Sequence, residues 1–160
     1  MKKVFGLFAL LLIIALGLAF FQSNPNNNFP FVAIFFGSKT KATINNQTFS
    51  VTVAKTNLEK EKGLSGKNSL NENEGMLFPF EKEDFYAFWM KDMKFPIDII
   101  FINKNRIVTI FPNIQPPKNT NEGLFVYKPE TPADMVLEIN AGLSQQYNFK
   151  KDDEVKIENL

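Results

Sequence analysis

Charged side chains interrupt a stretch of aromatic and methionine residues, FYAFWMKDMKFPIDIIF, at positions 85–101. Lys91, Asp92 and Asp98 lie in this stretch, and Glu138 lies between two aliphatic residues in the later motif VLEIN. A carboxylate in such a β-prone run faces solvent or is held by partners, because burial of an unpaired charge is costly. We favour a structural Asp98–Lys91 or Glu138–Lys91 ion pair. The alternative is that the carboxylates converge on a pocket.

A pocket at this place would allow three kinds of chemistry. Two carboxylates about 5–10 Å apart can hydrolyse a glycoside by acid–base catalysis. Carboxylate oxygens can also hold Ca²⁺, and aromatic side chains beside charges suit a sugar or a peptide. The sequence predicts no catalytic residue, no metal site and no cofactor. The candidate ligand-binding residues are Tyr86, Trp89, Met90, Lys91, Asp92, Asp98 and Glu138.

The amino-acid composition excludes several classes of chemistry. The chain has no His and no Cys, which rules out Ser-His-Asp and Cys-His nucleophile systems, disulfides, and imidazole or thiolate metal sites. The 18 basic and 17 acidic side chains give a formal net charge of +1. Because a nucleic-acid-binding face needs an excess of basic residues, we expect no nucleic-acid partner.

The N-terminus predicts export across a membrane. Two lysines at positions 2–3 precede an uninterrupted apolar run at 4–21, which as a helix would extend about 27 Å, close to the hydrocarbon thickness of a bilayer. The positive tip would stay in the cytoplasm. Two bulky phenylalanines end the run, which favours a signal anchor over a cleaved signal peptide. We therefore expect the protein on the extracytoplasmic face of the cytoplasmic membrane, or in the periplasm or medium if the leader is cleaved.

The sequence divides into three predicted segments. Residues 1–21 form the signal peptide or signal-anchor helix, and residues 22–40 combine an Asn-rich linker with the apolar juxtamembrane run FPFVAIFFG at 29–37. That run is too short to span a bilayer, and it either lies at the membrane surface or packs on the domain. Residues 41–160 form the folded domain.

Short strands dominate the predicted domain. The stretch 41–54 reads as a hairpin around two asparagines, and strands at 97–102 and 106–111 flank an Asn-Lys-Asn turn. Thr56 and Glu59 form a capping box that begins a helix of two or three turns. An extended segment at 85–94 would leave the core near Lys91 and Asp92. The pattern predicts a mainly β protein, a small antiparallel β-sandwich or barrel with one short helix.

Four motifs, in their order and spacing, resemble the domain of unknown function 192 (DUF192) family. They are VAKTNLEKEKGLSG at 53–66, EGMLFPF at 74–80, FWMKDMKFPIDIIFI at 88–102 and VLEINAG at 136–142, with DDEV near the C-terminus as a closing element. The resemblance spans about 43–157 of the chain. It implies a small, mostly β, jelly-roll-like domain, often exported or membrane-tethered, and no established activity.

The chain departs from the family pattern at two places. Many members carry Asn-Thr where this chain has Asp92 and Met93, and many carry two cysteines in the loop that here reads PPKNTNEGLFVY. The Asp at position 92 argues against an indispensable neutral amide there. A redox or metal role that resides in that loop is absent from this chain.

Three functions stay open from the sequence. The first is a non-catalytic extracytoplasmic binding module, tethered at the membrane, for a sugar or peptide ligand of the cell envelope. The second is a carboxylate-dependent hydrolase of envelope glycans, which needs Asp98 and Glu138 in one open cleft. The third is a membrane-associated assembly or scaffold protein that uses the apolar run at 29–37 to meet its partners.

Overall fold

The computed structural model describes residues 39–118 and 125–160. These residues form a mainly β structure, a curled sheet resembling a half-barrel, with two short helices. In chain order the elements are β1 (Lys41–Ile44), β2 (Gln47–Val53), α1 (Asn57–Lys62), β3 (Glu74–Asp84), β4 (Phe88–Trp89), β5 (Ile97–Asn103), β6 (Arg106–Ile114), β7 (Val126–Tyr127), β8 (Ala133–Asn140), α2 (Leu143–Gln146) and β9 (Val155–Glu158).

The predicted N-terminal helix at 1–21 and the segment 22–38 lie outside the described residues. Within 39–118 and 125–160, none of the helices has the length and apolar character needed to cross a bilayer.

The predicted hairpins and helix start are confirmed. Asn45 and Asn46, with φ of 47° and 67°, form the two-residue turn between β1 and β2, a conformation that asparagine tolerates well. Thr56 Oγ1 accepts the backbone N–H of Glu59 at 3.2 Å, and the Glu59 carboxylate accepts the backbone N–H of Thr56 at 2.8 Å. Gly63, with φ of 49°, ends α1.

The main sheet has seven strands in the order β6-β5-β8-β3-β2-β1-β9. All neighbours are antiparallel except β2 and β3, which are parallel. The predicted antiparallel arrangement holds except at this pair, because the crossover that contains α1 returns β3 in the direction of β2. An isolated bridge between Arg106 and Glu154 joins the two outer strands at one corner, so the sheet curls towards closure.

The central strands are buried on both sides, and we name the two sides by residues of β5. The Ile100 face carries Ile100, Leu137 and Ile139 and packs on residues in and after α2. The Ile99 face carries Ile99, Phe101 and Val136 and is covered by the segment that includes β4, which pairs with β7 as a small second sheet. Six of the seven residues of β5 are buried, as expected for a strand covered on both faces.

The prediction of an extended segment over 85–94 is wrong except for one short strand. Only Phe88–Trp89 is a strand, and a turn follows at Lys91 and Asp92. Asp92 has a φ of 56°, which breaks strand geometry. The turn is fixed from outside, since the Lys91 carbonyl accepts the Ser65 hydroxyl at 2.7 Å and the Asp92 carbonyl accepts the N–H of Gly66 at 3.1 Å.

Asp98 lies on the Ile100 face and is fully buried. Its carboxylate accepts three backbone N–H groups, those of Asn113 at 2.7 Å, Gly142 at 2.8 Å and Ser144 at 2.7 Å. These donors belong to β6, to the turn after β8 and to α2. Charge-assisted hydrogen bonds of this kind offset the cost of burying the charge.

Two irregularities of the backbone bring these donors to Asp98. The pairing of β5 with β6 shifts between Ile97 and Ile99, and Asn113 takes a φ of 53° at that bulge. Gly142 begins α2 with a φ of 84° and offers no side chain to cap it. Asp98 therefore supplies the cap that an Asp or Ser at that position would normally provide.

Replacement of Asp98 with asparagine should lower the free energy of unfolding by about 3–5 kcal/mol. The amide retains one acceptor oxygen, but its NH₂ group would face the Ser144 N–H, donor against donor. Urea unfolding of the full chain in detergent, followed by circular dichroism, measures this loss. The matched control is Asp92→Asn at an exposed turn, expected within about 0.5 kcal/mol of the parent. Equal unfolding midpoints for the two variants would contradict the role of Asp98.

Candidate functional site

A cavity of about 210 Å³ lies between α1, the turn after it, and the strands β3, β4 and β8. Its walls are mainly aromatic, and Lys60, Glu61 and Lys62 of α1 are the charged residues at its rim. The apolar wall residues are Leu64, Phe78, Phe80, Tyr86, Ala87, Phe88, Trp89 and Met93. We call this space the Glu138 cavity, after the carboxyl group that lines it.

The aromatic walls are rigid because they pack on one another. Phe80 and Tyr86 are stacked, with ring centroids 3.6 Å apart and planes 12° from parallel. Phe88 packs edge-on against Phe78 at 5.1 Å. The Lys60 ammonium lies 4.5 Å from the centroid of Phe80, so a cation already uses one aromatic face at the rim.

Glu138 occupies the middle of β8, opposite Ile99 of β5 and Met76 of β3. Its side chain belongs to the Ile99 face and is 5% exposed. Within the described residues, Oε2 is buried without a hydrogen-bond partner. Burial raises the pKa of Glu138 from 4.5 to about 8, because desolvation disfavours the charged form. The cavity thus holds a carboxyl group that is mostly protonated at neutral pH.

Gly75 allows β3 to lie close to β8 beside Glu138. A Cβ atom at this position would lie 2.7 Å from the Glu138 carbonyl oxygen, closer than packed atoms tolerate. Any side chain here would push β3 away from β8 at the residue that lines the cavity.

The hydroxyl groups around the Glu138 cavity already have partners. The Tyr86 hydroxyl donates to the carbonyl of Lys82 at 2.7 Å, and the Ser65 hydroxyl donates to the carbonyl of Lys91 at 2.7 Å. Burial raises the pKa of Tyr86, so its phenol stays protonated. Among the described wall residues, Glu138 is therefore the buried side chain with hydrogen-bonding capacity to spare.

The structure brings three of the seven predicted ligand-binding residues together. Tyr86, Trp89 and Glu138 line the same cavity. Met90 is buried in the core of the Ile99 face, and the exposed Lys91 and Asp92 lie in the turn, outside the cavity lining.

Asp98 lies on the other side of the sheet from the cavity. It pairs with Ile139, whereas Glu138 pairs with Ile99, and neighbouring residues of a strand point to opposite faces. The predicted convergence of Asp98 and Glu138 is therefore wrong. The predicted ion pair is also wrong, since within 39–118 and 125–160 the pairs formed are Lys104–Glu83, Lys151–Glu130 and Lys156–Glu158.

The sequence analysis missed the walls supplied by other elements. Phe78 and Phe80 come from EGMLFPF, which reads as a plain core strand, and the rim lysines come from a helix that reads as a solvated face. One signal of the rim was present in the sequence. Lys60 lies one turn after the cap of α1, and β3, which lines the same cavity, is rich in phenylalanine. In the described part of the chain, no group of three or more acidic side chains is close enough to hold a metal ion.

Comparison with known proteins identifies the family. Residues 39–157 match DUF192, described as "Uncharacterized ACR, COG1430". The chain belongs to the DUF192 family. No curated protein matches it.

Two solved structures share this fold. A protein of unknown function from Novosphingobium aromaticivorans DSM 12444 is 31% identical, with a TM-score of 0.63 over 74% of this chain and 83% of that one. A protein from Sinorhizobium meliloti 1021, described as "a putative transcription regulator", is 25% identical, with a TM-score of 0.65 over 76% of this chain and 94% of that one. Both resemble this DUF192 chain over its folded domain.

The buried carboxyl group should make the stability of this DUF192 domain depend on pH. Because folding raises the pKa of Glu138 from 4.5 to about 8, the folded state binds this proton more tightly than the unfolded state does. The stabilisation that this proton gives the folded state is fully present below pH 4.5 and is lost as the pH rises through about 8. Glutamine cannot ionise. Between pH 5 and pH 9 the free energy of unfolding of Glu138→Gln should therefore rise relative to that of the parent by up to about 5 kcal/mol.

Chemical unfolding of the full chain at several pH values measures this difference. Glu61→Gln removes an exposed carboxylate at the rim, and its effect on stability should be much smaller because solvent screens the charge. Curves for the parent and Glu138→Gln that stay parallel from pH 5 to pH 9 would contradict the burial of an unpaired Glu138.

Proposed function

We propose that the protein is an extracytoplasmic, membrane-tethered binding module, and that its ligand occupies the Glu138 cavity. The observation that carries the proposal is an unpartnered carboxyl group, 5% exposed, in a cavity with aromatic walls. Buried polar groups are usually hydrogen-bonded within the protein. An apolar cavity with one free polar group is the usual form of a small-ligand site.

The size of the cavity limits what enters it. A volume of about 210 Å³ accepts one sugar ring or one amino-acid side chain, whereas typical drug-sized ligands fill about 300–1,000 Å³. The proposed ligand is therefore one unit of a larger molecule, a sugar or a peptide of the cell envelope. The rest of that molecule would lie along the exposed rim at α1.

The location and the finer fold are part of the same proposal. The two N-terminal lysines and the apolar run at 4–21 support an anchor that leaves the domain outside the cytoplasm. The jelly-roll-like arrangement, which the family resemblance implies, is supported by the second sheet of β4 and β7 beside the Ile99 face.

A hydrolase finds less support than a binding module. Acid–base hydrolysis needs a second carboxylate at a defined distance, and Asp98 is on the opposite face. The other carboxylate that lines the cavity is the exposed Glu61 of the rim. A role in transcription, as in the description of one structural neighbour, has no support in a net charge of +1.

Ligand binding can be measured through Trp89. It is the one tryptophan of the chain and it lines the cavity, so its fluorescence should change when a ligand enters. Titration of the full chain in detergent with envelope sugars and peptides should give a saturable change. Tyr86→Ala removes a stacked ring from the wall and should weaken binding at least tenfold. Leu58→Ala, a truncation at an exposed position of α1, should leave binding unchanged.

Two outcomes would count against this proposal. If no envelope sugar or peptide changes Trp89 fluorescence, the Glu138 cavity is not a ligand site. If mass spectrometry finds cleaved products after incubation, the protein is an enzyme and not a binding module.

The anchor makes a separate prediction. After expression in a bacterium, the full chain should sediment with membranes at its uncleaved mass, and protease added to spheroplasts should digest the domain. Leu12→Arg places a charge within the apolar run and should reduce membrane retention, because a charge at the centre of a spanning helix opposes insertion. Protection of the domain from external protease would overturn the extracytoplasmic location.

A further inference from the structure

In the Glu138 cavity the buried side chain with an unpartnered hydrogen-bonding atom is Glu138, and aromatic side chains line the walls. The neighbouring hydroxyls of Tyr86 and Ser65 donate to backbone carbonyls, and the buried Glu138 Oε2 is without a partner in the described part of the chain. A sugar ring carries several hydroxyl groups around its edge. Most of them would lose their hydration here without gaining a partner, and each such loss weakens binding.

A ligand group that matches this cavity has one polar end and an apolar stem. We propose that the Glu138 cavity binds a primary ammonium group on a short alkyl chain, such as a lysine-type side chain of a peptide, with the ammonium on Glu138 and the stem against the aromatic walls. This inference rests on the proposed binding function and selects the peptide over the sugar.

Three features of the cavity favour an ammonium group. A carboxylate is its natural counter-ion, and charge-assisted hydrogen bonds are the stronger ones. The side chains of Tyr86, Phe88 and Trp89 line the same space, and cations bind to the faces of aromatic rings. The rim supplies a precedent, because the Lys60 ammonium lies on the ring of Phe80 at 4.5 Å.

Other charged groups fit less well. A guanidinium has five donors in a fixed fork, and a single carboxylate in an apolar cavity would leave several of them unpaired. An anionic group beside Glu138 would be repelled by the ionised carboxylate, and the lysines that line the cavity, Lys60 and Lys62, belong to the rim at α1. The titratable groups that line the cavity with Glu138 are Lys60, Glu61 and Lys62 of α1 and Tyr86 after β3.

Binding of an ammonium group requires Glu138 to lose its proton. Burial raises the pKa of Glu138 to about 8, whereas an alkylamine stays charged to about pH 10. The apparent affinity should therefore rise about tenfold per pH unit up to pH 7, approaching a plateau above pH 8. A neutral ligand of the same shape should show no such rise.

The experiment uses two matched pairs of probes on the full chain, with Trp89 fluorescence as readout. The pairs are n-butylamine with n-butanol, and Nα-acetyl-lysine amide with Nα-acetyl-norleucine amide, each titrated from pH 6 to pH 9. We expect at least a tenfold preference for the amine at pH 9. We also expect a calorimetric titration at pH 6.5, in buffers of different ionisation enthalpy, to show release of close to one proton per amine bound.

The Glu138→Gln variant should lose the preference for the amine and its rise with pH, while it still binds n-butanol. The proton-release measurement needs no variant and checks the same step in the parent chain. Binding of n-butanol or of envelope sugars without a preference for the amine would overturn the ammonium assignment and leave the cavity as a ligand site. If no probe of either kind changes the fluorescence, the ammonium assignment and the proposed binding function are both wrong.

Discussion

The carboxylate of Asp98 ties its own strand to three other parts of this domain. It accepts backbone N–H groups at 113, 142 and 144, and so joins β6, the turn after β8 and α2 to β5. The N–H group of Ser144 is buried, and the three hydrogen bonds offset the cost of burying the Asp98 charge. One side chain thus sets how β5 pairs with both of its neighbours.

That pairing also decides where Glu138 lies. With Asp98 opposite Ile139, the alternation of the strand places Glu138 on the other face, opposite Ile99. Two carboxyl groups in adjacent strands consequently have opposite environments. Asp98 has three donors, whereas Glu138 has aromatic walls and a raised pKa. A change of register by one residue would exchange the two faces and remove both environments.

Local signals in the sequence predicted the local structure well. The turn at Asn45 and Asn46 and the capping box at Thr56 and Glu59 depend on residues within a few positions of one another. The candidate site depended on distant pairings. The turn at Lys91 and Asp92 is held by residues 65–66, which alternation within 85–94 cannot reveal. For the same reason, sequence reasoning kept open a convergence of Asp98 and Glu138, which the sheet separates.

A buried carboxyl group without a partner reduces the stability of the folded state whenever it ionises. A leucine or methionine at position 138 would fill the same place beside Ile99 and Met76 without that cost. The glycine at 75 and the aromatic walls, fixed by their stacking, nevertheless keep this carboxyl group at an open cavity. Such a conflict between a local choice and the stability of the fold is typical of functional sites. A ligand that supplies the missing partner resolves it, since binding then stabilises the charge that folding alone leaves unpaired.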